Sequence, residues 1–496
     1  MAAINVLRLS CAPSTMAPHF WNHPASRRVA TRFVVCSASG AAAFPSDSFP
    51  KTGESPANND LPRIQRKQRL VAGVDQNNLV DPWMLADRDS RFAEFFNVQL
   101  HYKIAHPPSG NESTDSKTLR HNGEEVNKAT TRERNNLPAV LLHGFGASLF
   151  SWQRVLKQLA AIIDSSVVAF DRPGFGLTSR PKPLAGPAEK TGKLNPYSVK
   201  FSAKAALSFA EFLHSEQVIL IGHSAGCLVA FQAYLDAPEK VAAMVFIAPA
   251  IAAPIVMGEI MKATSASIPG NEQLASGVDP SSQKKFRLID IVSAVRDAIW
   301  WIVRQVLKAL QIITAAVQAL FQMLLPENFV KNVGSGISSV RDRLVTAVIR
   351  SSLTVWLVRV VMDRFGTTGV RMAWYDPFKA DDIVLQGYTK PLQCKDWDKA
   401  LLEFVLAMAV SPSASMDPKN PLGKRLKEVT CPVLVVTGDT DRLVPGWNAR
   451  RLADALPNAE FALIKKCGHL PQEETPDELL TIIERFIAKT FASKPL

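Results

Sequence analysis

Ser224 is the residue of this chain whose surroundings most strongly suggest chemistry. It lies between two glycines in the stretch VILIGHSAG, Val218–Gly226. A serine acts as a nucleophile when it is exposed and a neighbouring base removes its proton. A tight turn from a buried strand into a helix exposes the hydroxyl in this way, and flanking glycines leave room for the turn. Because G-x-S-x-G is short enough to occur by chance, the rest of the chain must decide whether Ser224 is a nucleophile.

Two further polar residues follow Ser224, each just after an apolar run. Asp441 lies in the turn after CPVLVV, and His469 lies shortly after AEFALI. Nothing in the periodicity of a strand requires an acid or a histidine at these two turns. The order serine, acid, histidine therefore predicts a nucleophile, an orienting carboxylate and a base. Asp439 lies in the same turn as Asp441 and is the alternative acid.

Four other residues near these turns are interpreted as structural. His223 precedes Ser224 in a turn so sharp that neighbouring side chains point apart, so we expect it to pack or to donate a hydrogen bond. His143 and Asp171 are expected to hold the turns around the site. Cys227 falls inside the helix that follows Ser224 and is expected in the core.

The elements that must position these residues alternate along the chain. Short apolar runs, typical of strands buried on both faces, are separated by helical patterns such as the amphipathic stretch Ser198–Leu213. This alternation predicts an α/β fold with a mostly parallel, doubly wound sheet. The strand patterns are Val98–Ala105, AVLL after Pro138, SVVAF, VILIG, VAAMVFIAPA, CPVLVV and AEFALI.

A long insertion separates VAAMVFIAPA from CPVLVV. It contains two helical patterns, Ile299–Leu325 and Arg341–Phe365, and is predicted to form a large helical lid. Between Gln283 and Arg364 it carries twelve Lys and Arg residues against five Asp and Glu residues, so much of the formal net charge of +12 is local. We expect its helices to lie in a membrane interface or over the site. Packing on the main domain is the alternative, and a membrane span at Ala309–Leu325 is disfavoured by its length and three glutamines.

The N-terminal segment has the composition of a targeting peptide. Its first 46 residues contain four arginines and no carboxylate, and they are rich in Ser, Thr and Ala. VVCSAS, Val34–Ser39, resembles a chloroplast processing site with cleavage near Cys36. We therefore expect a chloroplast location, in the stroma or on plastid membranes. A mitochondrial address and an untargeted disordered terminus are the alternatives.

Five motifs, taken in order, resemble the α/β-hydrolases, and within them the serine esterase and lipase group of the plant plastid type. The motifs cover Val98–Ala250 and Val429–Phe491, whereas the lid and the N-terminus are not covered. The family's usual G-x-x-D pattern favours Asp441 over Asp439. The motifs are HGFGAS, DRPGFGLTSRP, GHSAG, GDTDRLVP and GHLPQEETP.

The resemblance implies a role for each matching residue. Ser224 would be the nucleophile, His469 the general base and acid, and Asp441 the carboxylate that orients His469. The backbone N–H groups of Phe145 and Ala225 would bind an oxyanion. Related enzymes that open epoxides or remove halides need a carboxylate where Ser224 stands, so the sequence argues against that chemistry.

These patterns together predict the organisation of the chain. We expect the hydrolase core to be split by the lid into two parts. The predicted segments are a transit peptide (1–36), a disordered linker (37–77), the first part of the core (78–251), the lid (252–427) and the second part of the core (428–496).

The expected function is hydrolysis of a hydrophobic carboxylic ester, such as an acyl lipid or a prenyl or phytyl ester, through an acyl-enzyme at a plastid membrane surface. The alternatives are a receptor-like binding protein of the same fold with slow or no turnover, and a membrane-associated scaffold with a vestigial site. We expect a hydrophobic small-molecule or lipid partner and no nucleic acid. The six cysteines lack zinc spacing, so we expect no metal site, and nothing in the sequence calls for a cofactor.

Overall fold

The computed structural model describes residues 35–36, 69–108, 137–182, 194–251, 346–410 and 422–491. These residues belong to the unit Phe33–Leu496, one of two compact units of the chain. The helical pattern Ile299–Leu325, most of the predicted transit peptide and most of the predicted linker lie outside the described residues.

The described strands form one large sheet and one small hairpin. In chain order they are β1 Val35–Cys36, β2 Leu70–Val71, β3 Val74–Asp75, β4 Arg91–Phe95, β5 Val98–Ala105, β6 Ala139–Leu142, β7 Val167–Phe170, β8 Val218–His223, β9 Val241–Ile247, β10 Val433–Gly438 and β11 Ala459–Ile464. The large sheet has the order β1-β4-β5-β7-β6-β8-β9-β10-β11, and β2 pairs with β3. Neighbouring strands are parallel from β7 to β11 and antiparallel at the β1, β4 and β5 end. The predicted mostly parallel sheet is confirmed.

Helices cover both faces of this sheet. They are α1 Leu156–Ile163, α2 Val199–Phe212, α3 Gly226–Asp236, α4 Ser352–Ala373, α5 Asp382–Thr389, α6 Trp397–Val410, α7 Gly446–Ala455, α8 Pro471–Glu474 and α9 Pro476–Phe491. Successive residues of β6 enter different cores: Val140 and Leu142 pack with α2 and α3, whereas Ala139 and Leu141 pack with α1 and α9. Because both faces are covered, the central strands are continuous apolar runs.

The predicted helix Arg341–Phe365 is interrupted. In its described part, residues 346–349 are helical, Arg350 and Ser351 form a bend, and α4 begins at Ser352. The hydroxyl of Ser351 accepts a hydrogen bond from the N–H of Thr354 at 3.3 Å, which makes Ser351 the N-cap of α4. Ser351 is therefore the sequence signal for the interruption, although the apolar periodicity continues across it.

The described part of the insertion, which contains α4, α5 and α6, is here called the cap. None of the described helices is both long enough and apolar enough to cross a membrane. The parallel strands send the turns after β6, β7, β8, β10 and β11 to the same edge of the sheet. All the candidate site residues lie in these turns.

Candidate active site

Ser224 lies in a strained turn between β8 and α3. Its φ of +51° is in the left-handed region, which a residue with a side chain rarely adopts. The backbone N–H of Ser224 donates to the carbonyl of Ile247 at 2.9 Å, so the neighbouring strand β9 holds the turn. The turn therefore presents the hydroxyl at the edge of the sheet.

Both flanking glycines are required by close backbone contacts. A Cβ at Gly226 would lie 2.0 Å from the carbonyl oxygen of Leu142, and one at Gly222 would lie 2.7 Å from the nitrogen of Cys227. No side chain fits at either position, since both obstacles are backbone atoms. The glycines of GHSAG thus allow α3 to start directly against the end of β6.

Asp441 and His469 meet at this edge of the sheet. The Nδ1 of His469 lies 2.8 Å from the Oδ2 of Asp441, and both side chains are buried. The Oδ1 of Asp441 accepts the N–H groups of Leu443 and Val444 at 2.9 and 2.8 Å. With its other oxygen occupied, Asp441 offers Oδ2 to a proton on Nδ1, and this leaves the Nε2 of His469 as the basic nitrogen.

His469 contacts His223, the residue that precedes Ser224. The rings of His223 and His469 have centroids 5.0 Å apart, and the Nε2–H of His223 donates to the carbonyl of His469 at 2.9 Å. Among the hydrogen bonds of the described residues, none joins the hydroxyl of Ser224 to His469. Catalytic hydrogen bonds are often long without substrate and tighten when it binds.

The acid of the pair is Asp441 and not Asp439. Asp439 is exposed, and its Oδ1 accepts the hydroxyl of Thr440 at 2.9 Å and the N–H of Cys467 at 3.4 Å. It therefore braces the turn and does not contact His469. The geometry agrees with the G-x-x-D spacing.

Two neighbouring histidines are neutral scaffolding. Burial, and then the proximity of His469, lowers the pKa of His223 to about 3. Burial also lowers the pKa of His143 to about 3, and its Nδ1–H donates to the carbonyl of Gly144 at 2.8 Å while its Nε2 accepts the N–H of Arg172 at 3.1 Å. Neither ring can serve as a base. In His143 one nitrogen donates and the other already accepts a hydrogen bond, and in His223 one nitrogen donates and the other is buried.

Asp171 organises the turn after β7. Its carboxylate accepts the N–H groups of Leu149 and Leu177 and contacts the Nδ1 of His101, each at 2.7 Å. Burial opposes ionisation, but the contact with His101 and the hydrogen bond from Leu149 help to outweigh it, so the pKa of Asp171 is lowered. Asp171 is therefore a buried anion that fixes the loops around the site.

The N–H groups predicted to bind an oxyanion belong to Ala225, which follows Ser224 in the chain, and to Phe145, in a loop close to Ser224. Ala225 is the N-cap of α3, and Phe145 follows Gly144, at which a Cβ would lie 3.2 Å from the Cβ of Ser224. Neither amide has an acceptor among the described hydrogen bonds. Two free donors at a helix N-terminus and an adjacent loop can stabilise a developing negative charge.

The cap contributes to the loop of His469, which sequence reasoning did not foresee. The N–H of His469 donates to the carbonyl of Ala373, the last residue of α4, at 2.7 Å. Glu474 accepts the N–H of Tyr375 at 2.7 Å, of Gly468 at 3.0 Å and of Leu470 at 3.3 Å. The only sequence signal for these bonds was Glu474, the second acid of the motif GHLPQEETP. Glu474 therefore ties cap and core together on both sides of His469.

A second carboxyl in this loop is buried with little compensation. Glu473 accepts a hydrogen bond from the hydroxyl of Tyr388 in α5 at 3.0 Å on Oε1, while Oε2 is buried without a partner. Burial raises the pKa of Glu473 to about 8. The acid is therefore mostly protonated at neutral pH, where it can donate as well as accept.

A metal site is not found in the described residues, in which no three His, Cys, Asp or Glu side chains are grouped to hold an ion. Cys227, Cys394, Cys431 and Cys467 are free thiols, and Cys227 lies in the core as its helical position predicts.

Comparison with known proteins links this geometry to a family. The model of the alpha/beta hydrolase family matches residues 139–482, which is more than half of the chain. Over 348 residues the chain is 22% identical to an uncharacterized hydrolase, YugF, of Bacillus subtilis (strain 168), covering 70% of this chain and 89% of that protein.

Two other similarities are shorter or more distant. A 2-hydroxy-6-oxononadienedioate/2-hydroxy-6-oxononatrienedioate hydrolase of Dechloromonas aromatica (strain RCB) is 38% identical over 87 residues, which are 18% of this chain. The chain spans only 29% of the length of that curated relative. The solved structure of a thermophilic esterase from Thermogutta terrifontis has a TM-score of 0.42 and 15% identity, and it covers 79% of this chain and 94% of its own.

Proposed function

The chain belongs to the alpha/beta hydrolase family, and on that basis we propose that it is a serine hydrolase that cleaves a carboxylic ester through an acyl-enzyme. The observation that carries the proposal is the buried contact of 2.8 Å between Asp441 and His469 at the sheet edge where Ser224 is strained. Strain at a nucleophile is maintained only where the surrounding structure enforces it.

The proposed reaction follows from the positions of these groups. His469 accepts the proton of Ser224 at Nε2 as the serine oxygen attacks the ester carbonyl, and Asp441 stabilises the imidazolium that forms. The N–H groups of Phe145 and Ala225 receive the negative charge on the carbonyl oxygen. His469 then protonates the leaving alcohol, and a water molecule releases the acyl group by the reverse sequence.

A fluorophosphonate probe tests this proposal. We expect the wild type to be labelled on Ser224, as mapped by mass spectrometry, and Ser224→Ala to remain unlabelled. Absence of labelling of the folded wild type, or equal labelling of both proteins, would contradict it. Labelling of Ser224 without turnover of any p-nitrophenyl ester would instead favour a binding protein of the same fold.

A conservative change at Glu474 should impair the reaction without touching substrate. In Glu474→Gln, an NH₂ group replaces one carboxylate oxygen. It must then face backbone N–H groups whose hydrogen bonds that oxygen accepts in the wild type, so the loop of His469 shifts. A displacement of about 1 Å in an active site lowers kcat on the order of 100-fold. We expect a kcat loss of about 10- to 100-fold with little change in KM, measured on p-nitrophenyl butyrate.

The exposed neighbour Asp477 provides the control for this variant. Asp477→Asn removes the same charge three residues further along the chain and should keep the wild-type kcat. Equal kcat values for Glu474→Gln and the wild type would show that Glu474 does not position His469.

For the substrate, we propose a hydrophobic acyl-lipid, prenyl or phytyl ester. Aromatic side chains support this beside the predicted oxyanion donor: the rings of Phe175 and Phe404 lie 5.7 and 5.9 Å from the ring of Phe145. A series of p-nitrophenyl esters should show kcat/KM rising with acyl length. A preference for acetate would contradict this choice.

We propose further that the protein acts at an anionic plastid membrane surface. The basic composition of the insertion supports this, and so do Leu353 and Leu357 of α4, which are 70% and 51% exposed. In flotation with phosphatidylglycerol vesicles, the double variant Leu353→Ser with Leu357→Ser should bind more weakly than the wild type. Leu443→Ser, which changes an exposed leucine outside the cap, should bind as the wild type does. Unchanged flotation would show that α4 does not contact lipid, and imaging of a fluorescent fusion of the full chain tests the plastid location.

A further inference from the structure

A cavity lies between the cap and the core. Its volume is about 680 Å³, within the range of small-molecule sites. Its walls come from the first turns of α4 and α6, from Arg180–Lys182 after β7, and from Tyr197. Within the described residues, Ser224, Asp441, His469 and Phe145 do not line it.

The cavity carries an excess of positive charge. Six cationic and two anionic side chains line it. Both lining acids are already paired, Glu403 with Arg350 at 2.6 Å and Asp396 with Lys399 at 2.8 Å. Arg359, another lining cation, pairs at 2.6 Å with Asp398, which lies outside the cavity.

Three lining cations have no carboxylate partner among the described ion pairs: Arg69, Arg180 and Lys182. Arg180 donates to the backbone carbonyls of Phe175 and Gly176, at 3.2 and 2.7 Å, which fix the guanidinium but do not neutralise it. Arg69 and Lys182 are exposed at the rim, whereas Arg180 is partly buried, and low-dielectric surroundings strengthen the field of its charge. The cavity therefore favours an anion.

Apart from Ser352, the remaining lining is mostly apolar. The hydroxyl of Tyr197 donates to the carbonyl of Pro181 at 2.7 Å, so the ring is the part of Tyr197 left for a ligand. Trp356 is half exposed and lines the cavity together with Val355 and Leu402. A ligand that satisfies both kinds of surface has a charged head and an apolar body.

We propose that this cavity binds an amphiphile with an oxyanion head, a carboxylate, phosphate or sulfate, at a site separate from Ser224. One aromatic layer joins the two sites. Tyr197 packs in the same cluster as Phe175 and Phe404, whose rings contact Phe145. A bound amphiphile thus presses on the layer that adjoins the predicted oxyanion donor.

Calorimetric titration of the full chain with dodecyl phosphate, below its micelle concentration, tests the site. We expect one equivalent to bind, and Arg69→Ala with Lys182→Ala to weaken the affinity at least tenfold. Lys157→Ala with Lys200→Ala removes two exposed charges from α1 and α2 and should leave the affinity unchanged. Ser224→Ala should bind as the wild type does, which separates this site from the proposed catalysis.

Three comparison ligands and one further variant distinguish the sources of affinity. Inorganic phosphate, dodecyl maltoside and dodecyltrimethylammonium should each bind at least tenfold more weakly than dodecyl phosphate. Trp356→Ala should weaken dodecyl phosphate but not inorganic phosphate. Equal affinity for the neutral or cationic amphiphile, equal affinity for inorganic phosphate, or no effect of the Arg69 and Lys182 changes would overturn the proposal.

Discussion

Asp441→Asn should lower kcat about 10⁴-fold, the scale seen when the orienting acid of a serine triad becomes an amide. The Oδ1 position is held by the N–H groups of Leu443 and Val444, so the amide oxygen of asparagine must occupy it. Its NH₂ group then faces the Nδ1 of His469. This donor forces the proton of His469 onto Nε2, the nitrogen that must accept the proton of Ser224.

Asp439→Asn is the matched control for this variant, since it makes the same chemical change two residues earlier. Its amide oxygen can still accept from Thr440 and Cys467, so kcat should stay within roughly threefold of the wild type. Both variants are compared on p-nitrophenyl butyrate and by the rate of fluorophosphonate labelling. Equal losses, or a larger loss at Asp439, would show that the acid has been misassigned.

Glu473→Gln should remove a pH dependence of stability that the wild type has. Burial raises the pKa of Glu473 to about 8 from an ordinary value of 4.5. Between these values the folded state holds a proton that the unfolded chain has released, so this group's effect on stability becomes less favourable as pH rises and levels off above pH 8. From pH 6 to 8 the wild type should lose roughly 2 kcal/mol relative to Glu473→Gln.

Four groups around Glu473 modify the effect of burial on its pKa. The hydroxyl of Tyr388 donates to the carboxyl of Glu473, and Arg154, which donates to the backbone carbonyl of Glu473, lowers the pKa of that carboxyl. Asp381 and Glu474 raise this pKa because their charges oppose ionisation. Burial raises the pKa of Tyr388 well above its usual value, so Tyr388 remains a donor throughout this range.

Urea unfolding at pH 6, 7 and 8 measures the difference between the two proteins. Glu478→Gln, an exposed acid in the first turn of α9, is the control and should follow the wild type. If the free energy of unfolding changes with pH equally in the wild type and in Glu473→Gln, the raised pKa of Glu473 is contradicted.

The elements that hold the site were predictable because their signals are local. The pattern VQLHYKIA coincides with β5, and Ser198–Leu213 contains α2, whose N-cap is Ser198. Apolar runs and caps depend on neighbouring residues, which the sequence displays directly. The meeting of Asp441 with His469 followed from one further rule, that parallel strands end at the same edge of the sheet.

The interactions between cap and core were not predictable because they join residues far apart in the chain. Glu474 and Tyr375 are 99 positions apart, and Glu473 and Tyr388 are 85 positions apart. No periodicity marks a backbone N–H that will meet a particular carboxylate. The break at Ser351 was missed for a different reason, since an apolar pattern can continue across a cap.

The hydrogen bond from His469 to Ala373 has a consequence for engineering. By chain order Ala373 belongs to the insertion, and a graft that exchanged residues 252–427 for the corresponding segment of a relative would treat it as part of an interchangeable module. Such a chimaera keeps the acceptor for the His469 amide and the Tyr375 donor to Glu474 only where the grafted backbone follows the path of residues 373–375. Segments suitable for transplantation must therefore end before Ala373.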